Sequence, residues 1–466
     1  MPITLFDSKL HEAVEFTPLR SGEVSMYVCG PTVQSSPHVG HLRSALVYDL
    51  WSRWFTHRGY AVTLIRNVTD IDDKILEKSS ESGEEWWALA SRVESEFQAV
   101  ADALNIARPA LQPRATGDIP AMVDLIETLM ERDHAYLAED GSGDVYFSVS
   151  SWESYGELTN QSVENLTQSE TESSAKRNPE DFALWKGHKD HEPASAAWPA
   201  PWGRGRPGWH LECSAMSTRY LGEAFDIHGG GMDLRFPHHE NELAQSRAAG
   251  HDYAHHWMHN ALVLVGGQKM SKSLGNSIFA ADMVTQAKPI VVRYALASAH
   301  YRSELDLHEG YLTEAAAAFD RIEGFLVRAR SEGIDTGEGN FPAEFEAAMD
   351  DDLSIPSALA VLHEHVRHGN QALDSGDTDA AALDASAVRS MVAVLGLDPL
   401  AEEWTTSGSS DVSAALDSLV ESVIALRWSA KADKNFDLSD ALRDAIERAG
   451  IDVKDSSTGS TWSLRG

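Results

Sequence analysis

The order of apolar and polar positions divides the chain into an α/β first part and a helical second part. Residues 24–28 (VSMYV) form a short apolar run of the length of a buried strand. A turn-like CGPTVQSSP follows. Residues 38–59 then place apolar side chains at helical spacing as far as Gly59. AVTLIR (61–66) predicts the next strand. Strand, Gly/Pro loop, helix and strand open a βαβ unit. Sheets of this kind bind ligands beyond the carboxyl ends of their strands. Cys29, Asn67, Thr69 and Asp70 all fall just past predicted strand ends.

Farther along, 84–104 and 118–135 predict helices and 144–149 a strand. Residues 150–180 are polar, rich in Ser, Glu and Thr, and read as an exposed insertion. Residues 191–208 are turn-rich and read as a connector, neither helix nor central strand. A helix is expected over 209–222. FDIHGGG then reads as a strand followed by a glycine loop, and a helix runs from near His239 to about Arg247. ALVLVGGQKM (261–270) reads as a strand, a Gly-Gly turn and a second strand or loop. Past residue 285 helices dominate: Ser354 and Pro356 mark a helix start, 374–379 a break and 405–411 a linker. Helices over 411–430 and 438–449 form a small terminal unit.

Composition narrows the function. The 466 residues carry a formal net charge of −34, which excludes a polybasic binder held to phosphate by bulk charge. A local basic surface remains open, with Arg293, Arg302, Arg427, Lys431, Lys434 and Arg443 as candidates. The two cysteines, Cys29 and Cys213, exclude a disulfide scaffold and point to a reducing compartment. The N-terminus lacks the pattern of a signal peptide, and no apolar run is long enough to span a membrane. A cytoplasmic protein is expected.

Two groups of residues carry chemistry. Cys213 on a predicted helix, His238, Glu242 four residues later and the distant Cys29 offer S, S, N and O donors, a workable tetrahedral zinc set. His239 fits the same spacing, and both cysteines could instead be buried small hydrophobes. The second group handles phosphate. His38, Gly40 and His41 open a helix, whose N-terminus favours anions. Lys269 and Lys272 lie in KMSKS, a Gly-flanked segment able to place cations against developing phosphate charge. HGGGMD (228–233) allows close approach of ribose or adenine at Gly230 and offers Asp233 to a hydroxyl. Each also has a plain structural reading as cap, surface or turn. No P-loop pattern occurs.

Taken together, MYVCGPTV, PHVGH, RNVTDIDDKI, PGWHLECSAM, FDIHGGGMDLRFPHHENELAQS and KMSKSLGN resemble the cysteinyl-tRNA synthetase family of class I aminoacyl-tRNA synthetases over most of residues 1–310, and more weakly to the C-terminus. HVGH departs from that class's HIGH signature only by Val39 for Ile. The resemblance implies an α/β fold. A Rossmann-like catalytic domain spans 1–265 with an insertion at about 115–205, and a signature-loop and stem-contact connector spans 266–310. A helical anticodon-binding bundle (311–400) and a small helical unit (401–466) follow. It implies one zinc on Cys29, Cys213, His238 and Glu242, and gives ATP handling to His38, Gly40, His41, Lys269, Lys272, Gly230 and Asp233. Thr69 and Trp209 would close around the amino acid. ATP with Mg2+, L-cysteine and tRNA(Cys) are the implied partners of a monomeric enzyme. A shortened relative that joins cysteine to an amino sugar in mycothiol synthesis is the competing reading. The intact Glu242 segment and the long helical tail argue against it.

Overall fold

In a computed structural model, residues 2–160, 175–270, 275–405, 408–456 and 459–464 are described. Two compact units result, residues 1–398 and 399–466.

The first unit begins with a hairpin, β1 (Thr4–Asp7) and β2 (Glu12–Glu15). The expected βαβ unit follows as β3 (Glu23–Val28), α1 (Val39–His57) and β4 (Ala61–Arg66). Next come α2 (Asp73–Ser82), which the apolar pattern did not predict, and α3 (Trp86–Ala103). Then α4 (Ile119–Glu131) leads into β5 (Ala135–Leu137), β6 (Val145–Phe147), β7 (Phe182–Gly187) and β8 (Gly205–Pro207). These four strands form one antiparallel sheet in sequence order. β8 is an edge strand inside the expected connector.

The chain returns through α5 (Trp209–Leu221), β9 (Ala224–Gly231), α6 (Glu240–Ala248) and β10 (Tyr253–Asn260). The glycines of HGGG are strand, not loop. Gly229 of β9 pairs with Met258 and Val28, and it must be glycine because a Cβ there would lie 2.3 Å from the Tyr48 ring. The main sheet is parallel, with order β10-β9-β3-β4. From β3 the chain proceeds outward to β4, and from β9 outward to β10 on the other side. The crevice between the carboxyl ends of β3 and β9 is therefore a topological switch point.

β11 (Val263–Val265), β12 (Gln268–Lys269), α7 (Ala280–Gln286), α8 (Pro289–Ala297) and β13 (Leu305–Asp306) connect to four helices. These are α9 (Tyr311–Ser331), α10 (Ala343–Asp350), α11 (Ile355–Ser375) and α12 (Thr378–Val394). The second unit holds α13 (Glu402–Thr405), α14 (Gly408–Ala432) and α15 (Phe436–Arg448). It closes with a hairpin, β14 (Ile451–Ser456) and β15 (Gly459–Leu464), which the helical reading of this unit omitted. Residues 408–411, expected in a linker, begin α14.

Residues 155–159 correct the expectation of an exposed insertion. Tyr155 and Leu158 are buried. Glu240 explains this: its carboxylate accepts from the backbone N–H groups of Gly156 (3.0 Å) and Thr159 (2.9 Å) and from the Thr159 hydroxyl (2.8 Å). Residues 161–174 of that stretch lie outside the described residues. No helix among the described residues is long and apolar enough to cross a membrane.

Candidate active site and metal centre

A cavity of about 320 Å³ opens at the switch point. Cys29 and Gly30 wall it from the end of β3; His38, Gly40 and His41 from the start of α1; Asp233 and Gly231 from the end of β9; Trp209 from α5; and Lys269 from β12. Seven predicted site residues thus share one wall. Gly230 does not line it. A Cβ at Gly230 would meet His239 at 2.9 Å and Leu234 at 3.0 Å, so its smallness serves packing. Lys272 lies outside the described residues.

The two histidines of HVGH cap their own helix. His38 Nδ1 accepts from Gly40 N (3.2 Å), His41 Nδ1 accepts from His38 N (3.3 Å), and the rings stack at 3.8 Å. With each Nδ1 accepting, the neutral rings carry their protons on Nε2. Gly40 leaves room for this arrangement, since a Cβ would lie 3.0 Å from the His38 ring and 3.5 Å from Met270. The segment after KMSKS is bound to the same helix start. Val39 N donates to Ile278 O at 3.0 Å and Ala280 N to Pro37 O at 2.9 Å.

Behind the cavity lies a buried donor cluster. Sγ atoms of Cys29 and Cys213 are 3.5 Å apart, Cys29 Sγ is 3.4 Å from Glu242 Oε1, and His238 Nε2 is 3.0 Å from the same oxygen. Donor atoms of all four residues lie within 4.8 Å of one another. Burial pushes the Cys29 thiol well up and the Cys213 thiol to about 11. Burial also opposes ionisation of Glu242, yet His228 and His238 hold its carboxyl at about 2. His238 is depressed by burial to about 3 and is neutral. Two thiols crowded beside a carboxylate and an imidazole form a donor set that favours a cation. Sulfur, nitrogen and oxygen in this number suit zinc, whose charge would restore the thiolates.

The surroundings orient these donors. His228 Nε2 and the Tyr253 hydroxyl both sit 2.7 Å from Glu242 Oε2, turning Oε1 toward the cluster. His238 Nδ1 lies 3.0 Å from His210 Nδ1, and Trp209 stacks on the His238 ring at 4.1 Å. A second set, Cys29, His228, His239 and Glu242, shares two members. It omits Cys213; its His239 holds Nδ1 against His259 Nε2 at 2.8 Å and leaves Nε2 without a partner among the described residues, so the presence of both thiols favours the first set. Thr69 is buried and donates to Glu212 Oε2 at 2.7 Å, outside the cavity wall.

The tRNA synthetases class I (C) catalytic domain model matches residues 15–317, and the DALR domain model residues 344–400. A cysteine–tRNA ligase of Clavibacter michiganensis subsp. michiganensis is 57% identical over 483 residues, covering 100% of both chains. That of Leifsonia xyli subsp. xyli is 57% identical over 475 residues, again covering 100% of each. The chain belongs to the cysteine–tRNA ligase family. Its fold is also that of other class I enzymes. Methionyl-tRNA synthetase of Mycobacterium tuberculosis, solved with methionyl-adenylate, superposes with a TM-score of 0.58 at 14% identity, over 81% of this chain and 90% of that one.

Several cations expected at a nucleic-acid surface are structural in this family member. Arg293 is fully buried; its guanidinium donates to Asp49 and to the carbonyls of Leu104, Asn105 and Leu395. Arg302 is held by Asp352 at 2.6 Å, and Arg427 is 2% exposed. Lys431 lies over the Trp428 ring at 5.3 Å, while Lys434 and Arg443 are exposed. Sequence reasoning assigned no role to Arg66, which lines the cavity at the end of β4. Its one signal was a cation closing an apolar strand.

Proposed function

We infer that this enzyme activates L-cysteine with ATP and transfers it to tRNA(Cys). One observation carries the reading: Cys29 belongs at once to the four-donor cluster and to the cavity wall shared with both signature segments. A side chain recognised at the cluster would therefore leave its carboxylate facing the phosphate-handling residues.

Cys29, Cys213, His238 and Glu242 would hold the zinc, which when bound supplies a soft centre that distinguishes a thiol side chain from a hydroxyl. His38 and His41 present Nε2–H groups to phosphate oxygens, and Lys269 and Lys272 oppose charge developing there. Gly40 keeps the helix entrance open, and Asp233 accepts from a ribose hydroxyl, with Gly230 preserving the strand beneath it. Trp209 backs the amino acid from its stack on His238, and Thr69 supports that wall through Glu212. Carboxylate attack on the α-phosphorus releases pyrophosphate; a terminal ribose hydroxyl then takes the aminoacyl group and releases AMP. Positioning and charge stabilisation suffice for both steps, with no protein nucleophile.

The reading extends to a monomeric, cytoplasmic enzyme with Mg2+ accompanying ATP. Catalysis belongs to 1–265 with its insertion at 115–205, the signature loop and stem contacts to 266–310, and anticodon contacts to 311–400 with the small unit 401–466. The test is pyrophosphate exchange with cysteine and with serine, followed by charging of tRNA against coupling to an amino sugar. Exchange that requires cysteine, with tRNA as the acceptor, is expected. Equal use of serine, or coupling to the sugar alone, would refute the reading.

A further inference from the structure

Arg66 is the unexplained charge of the cavity. The residue is 3% exposed, and neither Nε nor Nη2 has a hydrogen-bond partner among the described residues. Its guanidinium carbon stands 5.2 Å from the Phe97 ring centre, and both residues line the cavity. The stem runs past Gly30, where an added Cβ would lie 3.3 Å from Arg66 Cγ. Burial lowers the guanidinium to about 10; the one opposing influence is Asp49, already engaged by Arg53 and Arg293. Other buried arginines are answered: Arg43 donates to two carbonyls and Arg293 to three carbonyls and a carboxylate. Leaving a buried guanidinium without acceptors is costly, so fold stability alone gives no reason for it. An acceptor delivered from outside does.

We propose that Arg66 is a substrate-binding residue whose guanidinium receives an oxyanion of the reactants, either the carboxylate of the amino acid or a phosphate at the acceptor end of the tRNA. The triphosphate of ATP is the lesser match, because His38, His41 and Lys269 already face it across the cavity. Arg66 stands at the opposite edge of the sheet, on β4, beside the residue that follows Cys29. Planar, forked donors suit both carboxylate and phosphate. The proposal rests on the reading of the site as a cysteine–tRNA ligase centre.

The experiment compares wild type, Arg66→Met and Arg66→Lys as full-length, zinc-loaded protein. Absence of cysteine-dependent exchange in wild type would defeat the underlying reading, whatever Arg66 does. Given wild-type activity, Arg66→Met is expected to melt no lower than wild type, since an apolar side chain replaces an unanswered charge. It should lose about fivefold or more in one of two arms, the scale of a charge-assisted contact. A raised KM for cysteine in exchange identifies the carboxylate. Slower transfer from preformed cysteinyl-adenylate at low tRNA concentration identifies the phosphate. Arg66→Lys should recover part of the loss in the same arm. A lowered melting temperature for Arg66→Met, a change below about fivefold in both arms, or a rise confined to the KM for ATP would overturn the assignment.

Discussion

Arg293 and Asp49 meet at 2.6 Å with both side chains sealed from solvent, although 244 residues separate them in sequence. Asp49 lies on the helix that begins with HVGH, and Arg293 on α8, shortly after KMSKS. The same guanidinium reaches the Leu395 carbonyl at the end of α12 (2.9 Å). One side chain thus fastens the signature helix, the connector and the helical bundle of the first unit. Removing either partner strands a buried charge, which costs about 3–5 kcal/mol. Asp49→Asn and Arg293→Met should both lower unfolding free energy on that scale in urea titrations, and a change under about 1 kcal/mol would contradict the structural account.

The pH dependence of this pair has a defined sign. Burial by itself would raise the Asp49 pKa, but Arg293 and Arg53 bring it below the usual carboxylate value. The unfolded state therefore binds the proton more readily. The stabilisation is present above the unfolded pKa of about 4 and disappears as pH falls through the lower folded value. Melting temperatures of wild type and Asp49→Asn should differ most near neutrality and converge below about pH 4. A constant difference would exclude Asp49 as the titrating group.

Metal affinity should depend on residues that are not ligands. Tyr253→Phe and His228→Asn each release Glu242 Oε2 and free the carboxylate to turn. Chelator competition should show zinc affinity falling about 10–100-fold in each variant. Cys213→Ala should abolish stoichiometric zinc and cysteine activation together; active, zinc-free protein would refute the cluster assignment.

Lys269 offers a kinetic test. Its contribution grows as charge develops on the phosphates, so Lys269→Ala should slow adenylate formation on the order of 10²–10³-fold while the KM for cysteine stays nearly constant. Single-turnover measurement of adenylate formation decides the matter, and a near-wild-type rate would remove the role.

Truncation should succeed at one place and fail at another. Ending the chain at residue 310 removes Asp352, which accepts from Phe6 N (2.8 Å) and Arg302 (2.6 Å), and removes the Leu395 carbonyl from Arg293. That fragment should be insoluble or molten. A chain ending at Asp398 keeps the whole first unit. It should unfold cooperatively and sustain pyrophosphate exchange while charging tRNA poorly. Charging at the full-length rate would separate residues 399–466 from tRNA recognition.

Where apolar spacing is written locally, the amino-acid order is enough to place an element: β3, α1, β4, α5 and most of the later helices are legible in this way. The omissions share a cause. β10 (YAHHWMHN) looks too polar for a mostly buried strand, yet His259 is buried and bonds His239 at 2.8 Å and Ser8 at 2.8 Å. α2 buries only Ile75 and Ser79, too few for a readable stripe. Residues 155–159 are buried through Glu240, which lies 81 residues beyond Thr159 and outside any local window. The donor cluster was legible because thiols are scarce here, but spacing could not separate His238 from His239; what separates them is that the set holding His238 takes in both thiols. Arg293 was misplaced at the surface because a cation's letter does not say whether a carboxylate waits inside; Arg302 is exposed as expected, although Asp352 holds it.

The glycines of the cavity wall bear on how this centre could ever change. At Gly30 a Cβ would sit 1.7 Å from the Asn67 carbonyl oxygen, and at Gly40 it would press on the His38 ring. Gly30 is fixed by backbone and Gly40 by a ring that caps its own helix. An inhibitor resting on these two positions would meet a surface with few routes to drug resistance, because a single substitution there displaces the enzyme's own framework before it displaces the inhibitor.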